Sequence, residues 1–275
     1  MGWPLPPGGG HAGEGAGRAS TGARGLRRGR FRRTVRRAGG EVGLSIFPKV
    51  KTGALVIWAL MCAPVAAESM LPVMRDQAPG AWDAVGRVNV AGYRTRGMCS
   101  GVLIAPEWVL TAAHCLYREN WRTVALEDLH FVAGWDRGIA VDDRAVAETF
   151  AHPEAWRDGM IDPARDVALL RLESPMQIAP VPLLGDDLPE PPYGIVAYQG
   201  SRPHLVGGRF DCGAELQKRS LVRTACRMEP GSSGGPMLAP VEGGWAVVGV
   251  VSAGSGGWTL VARALDWVAE TIAGG

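Results

Sequence analysis

Beyond residue 82 the chain is a succession of short strand-like runs closed by turn residues, with almost no room between them for helices. "AVGRVNVAG" alternates apolar and other residues, and "CSGVLIAPEWVLTAAHC" reads as two strands joined at Pro106-Glu107 and followed by one helical turn. "LHFVAGW", "RAVAETFAHP", "DVALLRLESP", "YGIVAYQG", "SLVRTACRM", "GGPMLAPV" and "GWAVVGVVSAG" continue the pattern. Parallel strands need long crossover connections, so an antiparallel all-β barrel or sandwich is predicted and a βαβ sheet is disfavoured. Only "TLVARALDWVAETIAGG" departs, with Leu265, Val268, Ala269 and Ile272 at helical spacing and Gly at the stop, so a C-terminal helix is predicted.

The start of the chain has a different character. Residues 1–43 are Gly-rich and carry nine Arg against Glu14 and Glu41, a composition that cannot build a core. Residues 44–67 hold Lys49, Lys51 and the uncharged run "GALVIWALMCAPVAA", too short for a bilayer span of about 20 residues but suited to a secretory signal. Cleavage after Ala67 is expected, with a retained anchor as the alternative. The basic stretch upstream is then an unusual extension, or the true start lies near Val42. Taking the 11 basic and 2 acidic residues of 1–67 from the chain's 29 and 27 leaves 18 and 25. The exported part is therefore acidic, and nothing argues for a nucleic-acid partner. Residues 68–81 form a lead, and "DDLPEPPYG" at 186–194 is the best connection between a first half, 82–185, and a second, 186–275.

Without Cys62 an even set remains, Cys99, Cys115, Cys212 and Cys226, as expected of a chain bound for an oxidising compartment. Four cysteines allow three pairings, and the sequence alone does not choose among them. No zinc-like Cys/His spacing occurs, so no metal and no cofactor is expected.

A serine becomes a nucleophile when an imidazole takes its proton and a carboxylate fixes that imidazole's tautomer. His114 lies at the end of an apolar run, whereas His130 and His152 lie elsewhere along strand-like segments and His204 in a polar stretch. Asp166 immediately precedes "VALLRL", whose apolar residues would anchor it; Asp162, before Pro163, reads as a turn residue. Ser233 is flanked by Gly231, Gly234 and Gly235, which allow a tight turn whose Gly231 and Ser233 N–H groups could face an oxyanion together. "GSSGG" alone is more simply a Gly/Ser-rich turn; the combination with His114 and Asp166 reverses that reading.

Here "LTAAHC", "DVALLRL" and "GSSGGP" together resemble the histidine, aspartate and serine motifs of chymotrypsin/trypsin-type serine endopeptidases, in the family's order, from about residue 82 to 273. The resemblance implies two orthogonally packed antiparallel β-barrels with a C-terminal helix, the first supplying His114 and Asp166 and the second Ser233. It implies a Cys99–Cys115 bridge clamping the histidine loop and with it a Cys212–Cys226 staple in the second barrel. "GVVSAG" resembles the strand that pairs with substrate backbone, which assigns that role to Ser252 and Gly254. The implied protein is a secreted or periplasmic monomer acting on proteins or peptides, with no stable membrane association once its signal is removed.

Two departures matter. Ser232 stands where zymogen-type members have an Asp, and no "IVGG"-like start precedes "WDAVGRVNV", so activity without N-terminal activation is expected, as in bacterial secreted branches of the family. Arg227 stands where trypsin-like members have the Asp at the floor of the S1 pocket, and Glu229 replaces a cysteine; Arg227 either faces that pocket and favours acidic P1 residues or faces solvent. The rival readings are a catalytically silent homologue used for binding and a serine esterase. Gly231-Ser232-Ser233-Gly234-Gly235 satisfies the esterase elbow pattern, but that class places its histidine last in the chain.

Overall fold

The computed structural model describes residues 73–74, 80–90, 97–118, 122–185, 187–255 and 257–275. The expected signal at 44–67 and the extension at 1–43 lie outside these residues.

Six strands make a closed barrel: β1 (Val85–Val90), β2 (Met98–Ala105), β3 (Trp108–Thr111), β4 (Leu129–Ala133), β5 (Asp142–Ala151) and, after a small hairpin of β6 (Trp156–Arg157) and β7 (Met160–Ile161), β8 (Ala168–Leu172). Their order is β1-β2-β3-β8-β5-β4, closed by antiparallel pairing of β1 with β4. Every residue of β3 is buried, and the pleat explains why. Val109 joins Val88, Leu103, Phe131 and Leu170 inside the barrel. Trp108 and Leu110, on the other face, join Leu169, Val196, Tyr198, Leu238 and Val250 in a core shared with the second half.

That second half is a seven-stranded sheet of β9 (Tyr193–Gln199), β10 (Arg202–Cys212), β11 (Ala214–Lys218), β12 (Leu221–Thr224), β13 (Pro236–Val241), β14 (Gly244–Ser255) and β15 (Trp258–Ala262). Its order is β10-β9-β13-β14-β15-β12-β11, and it is open, not the second barrel that the sequence suggests. The two edge strands are consecutive in the chain and separated by Gly213 alone. Consecutive strands need a turn of about two residues to pair, so β10 runs on into β11 instead of laddering with it. The architecture is therefore one closed barrel, one open sheet and a two-stranded hairpin, not two orthogonal barrels. The C-terminal helix α1 (Leu265–Gly274) buries Leu265 and Val268, with Ile272 and Trp267 packed beside them on the shared core. Among the described residues no helix is long and apolar enough to cross a membrane.

Two disulfides fasten this frame. Cys99–Cys115 ties β2 to the 3-10 turn Ala113–Leu116, and Cys212–Cys226 ties the end of β10 to the segment after β12. Their separations of 16 and 14 residues correspond to about 3 kcal/mol each of loop-closure stabilisation. The Cys212→Ser/Cys226→Ser protein is expected to lose about that much in urea unfolding. The Cys99→Ser/Cys115→Ser protein is expected to lose a similar amount by the same measurement.

Candidate active site

The pairing of β3 with β8 determines where the first two candidate side chains meet. The strands are antiparallel with Thr111 opposite Ala168, so the exit of β3, three residues before His114, lies beside the entry to β8, two residues after Asp166. Asp166 is fully buried and receives three hydrogen bonds. His114 donates its backbone N–H to Oδ1 at 2.8 Å, its Nδ1 lies 2.7 Å from Oδ2, and Ser252 Oγ donates to Oδ2 at 2.6 Å. A buried carboxylate without such donors would be strongly disfavoured. Because the carboxylate of Asp166 can only accept, the bond assigns the ring proton to Nδ1 and leaves Nε2 as the basic nitrogen.

Ser233 lies in the turn leading into β13. It shares with His114 a cavity of about 620 Å³, also lined by Met98, Cys99, Tyr117, Arg118 and Gly231. It also borders a second cavity, about 290 Å³, lined by Met228, Glu229, Pro230 and the Val251–Gly254 stretch. No hydrogen bond joins Ser233 Oγ to the imidazole among the described residues; in resting enzymes this contact is often long and tightens when substrate binds. Ser232, by contrast, is fully buried, and its Oγ donates to Tyr198 C=O at 3.4 Å, away from both cavities.

The turn around Ser233 is held by its carbonyls. Gly200 N–H donates to Pro230 C=O at 2.7 Å, and Gly235 N–H to Ser232 C=O at 2.9 Å. In a trans peptide the N–H points opposite to its C=O, so Gly231 N–H and Ser233 N–H are both turned away from these occupied carbonyls. Among the described residues neither N–H donates to any protein group, which leaves two backbone donors beside the hydroxyl of Ser233. Gly234 has φ +77°, and a Cβ there would lie 2.2 Å from Thr111 Oγ1 and 2.3 Å from Ser100 C=O. No other residue satisfies both constraints, so the glycine is required by the backbone and by packing together.

The other residues singled out in the sequence fall elsewhere. Arg227 is exposed and does not line the cavity beside Ser233; Met228 and Glu229 do. Glu229 also accepts a hydrogen bond from Ser201 Oγ at 2.5 Å. Ser252 and Gly254 line that cavity, and the hydroxyl of Ser252 has the additional part on Asp166 that the sequence did not reveal. Asp162 caps its own turn, accepting from Ala164 N–H at 3.0 Å. His130 faces Asp143 and His204 accepts from Trp135 Nε1, both away from Ser233. A larger cavity of about 800 Å³, lined by Met74, Trp82, Phe210 and Trp245, has no Ser, His or Cys among the described residues that line it. Among the described residues two groups of side chains have metal-like proximity, Cys99/His114/Cys115 and Asp211/Cys212/Cys226, but their sulfurs are spent in disulfides and offer no thiolate.

Comparison with known proteins follows the same residues. A family model described as Trypsin matches residues 73–268. Human chymotrypsin-like elastase family member 3A is 30% identical over 218 residues, covering 64% of this chain and 78% of that protein. Bovine proproteinase E is 29% identical over 218 residues, 64% of this chain and 83% of that protein. The CLIP domain-containing serine protease B15 of Anopheles gambiae is 29% identical over 243 residues, 70% of this chain and 65% of that protein. All three are animal proteins, so the likeness reaches the family and not a bacterial branch in particular.

Proposed function

The chain belongs to the trypsin family of serine peptidases, and from that premise we propose that it is a secreted serine endopeptidase that cleaves peptide bonds through an acyl-enzyme. Ser233 Oγ attacks the scissile carbonyl while His114 Nε2 takes its proton, and the imidazolium that forms is stabilised by Asp166. Gly231 N–H and Ser233 N–H receive the oxyanion. His114 then returns the proton to the leaving amine, and water repeats the sequence on the acyl group. The substrate backbone lies along Ser252 and Gly254, and its P1 side chain enters the cavity lined by Met228 and Glu229.

One observation carries this reading: a buried carboxylate holds Nδ1 of an imidazole whose cavity also contains a serine beside two backbone N–H donors that have no partner among the described residues. The arrangement argues against a silent binding protein, which has no use for such donors. Activity without N-terminal activation is part of the proposal, since Ser232 has no charge to pair with a freed terminus and its hydroxyl is bonded within the fold. Secretion is supported by the uncharged run at 53–67 and by the two disulfides. Incubating the protein with a mixed peptide library and reading the termini created by mass spectrometry tests the proposal. Cleavage at internal bonds with a preference at P1 is expected; an intact library, or hydrolysis of simple esters only, would replace endopeptidase with one of the rival readings.

A further inference from the structure

Ser100 belongs to the barrel strand β2, yet its side chain contacts the opposite half of the molecule. It is fully buried, 98 residues from Tyr198 and 131 from Gly231 in the chain. Its Oγ accepts the backbone N–H of Tyr198 at 2.9 Å and donates to Gly231 C=O at 2.9 Å. The alternative acceptor, Tyr198 C=O at 3.5 Å, is too distant to compete for the single hydroxyl proton. The backbone N–H of Ser100 also donates to Ser233 C=O at 2.7 Å, and its own C=O accepts from Thr111 Oγ1 at 2.8 Å. One residue thus grips the 231–233 turn at both ends.

The geometry points to Ser100 as a positioning residue for the two oxyanion donors, an inference that rests on the function proposed above. Binding Gly231 C=O fixes the Gly231-Ser232 peptide plane, whose N–H in turn donates to Glu229 C=O at 3.0 Å. Gly231 has φ +95°, a residue type free to let that plane rotate, so the orientation of the turn depends on the bonds to its carbonyls. The bonds from Gly200, Ser100 and Gly235 occupy three successive carbonyls, those of Pro230, Gly231 and Ser232. Only the bond from Ser100 to Gly231 comes from a side chain, so only it can be removed by substitution without altering the backbone. All three are uncharged and internal to the fold. These uncharged bonds hold the turn.

The test compares the full-length protein with Ser100→Ala, and with Thr224→Val as a control that removes another fully buried hydroxyl, one bonded to Gly213 C=O at 2.6 Å and outside the site. In Ser100→Ala, kcat is expected to fall about tenfold to a hundredfold with KM unchanged, because the oxyanion is bound only in the transition state. Amide exchange in the 228–235 peptide should rise about tenfold in the resting protein. Thr224→Val should lower Tm and leave both readouts as in the parent. Unchanged kcat and exchange in Ser100→Ala would overturn the inference, as would equal losses in both variants. If the parent shows no turnover, the proposed function fails separately, and exchange of the turn alone decides whether Ser100 holds it.

Discussion

Replacing Ser233 by Ala is expected to lower kcat on peptide substrates by about a million-fold while leaving the folded state intact. In the proposed mechanism Ser233 Oγ forms the covalent intermediate, so its removal would leave only catalysis by the backbone donors and by binding. Ser232→Ala is the informative contrast, because the two serines are adjacent and only one borders the cavities. Ser232 Oγ has one long bond, 3.4 Å to Tyr198 C=O, so its loss should change kcat by less than about tenfold. Steady-state kinetics on both proteins, with Tm measured alongside, checks the pair of values.

Asp166→Asn is expected to cost about 10⁴-fold in kcat with little change in KM. The physical cause lies in the direction of one hydrogen bond. A carboxylate oxygen 2.7 Å from Nδ1 can only accept, so Nδ1 carries the proton and Nε2 is basic. An amide can turn its NH₂ to the ring, placing the proton on Nε2 and leaving no base toward Ser233. The same replacement disturbs Ser252, whose hydroxyl donates to Oδ2 and with an amide nitrogen there would have to reverse. Kinetics of Asp166→Asn beside Ser252→Ala separates these effects: Ser252→Ala keeps the carboxylate and the tautomer, so it should lose far less.

The relation between sequence and structure is uneven for a definite reason. His114, Asp166 and Ser233 each sit in a short motif beside a strand, His114 after β3, Asp166 before β8 and Ser233 before β13, where local apolar and glycine signals mark the strand and its boundary. Ser100 and the second part played by Ser252 depend on contacts 98 and 86 residues away, which no local pattern encodes. One signal was present for Ser100, a hydroxyl within the apolar run "CSGVLIA", since a buried polar side chain must find partners. The open second sheet was hidden for the opposite reason. Strand composition in "YGIVAYQG" and "SLVRTACRM" is the same whether a sheet closes or not, and the two strands left at its edges, β10 and β11, are separated by Gly213 alone. Arg227, which the sequence leaves either in a pocket or at the surface, is exposed, and Met228 and Glu229 line the cavity beside Ser233.

An activated Ser233 is the claim on which everything else depends, and labelling with a fluorophosphonate probe, read as intact mass on the full-length chain with its disulfides oxidised, tests it most directly. One adduct on the parent and on Ser232→Ala, mapped to Ser233 and absent from Ser233→Ala and His114→Ala, is the expected result. A folded parent that takes up no probe, or one labelled equally after His114 is removed, would contradict it.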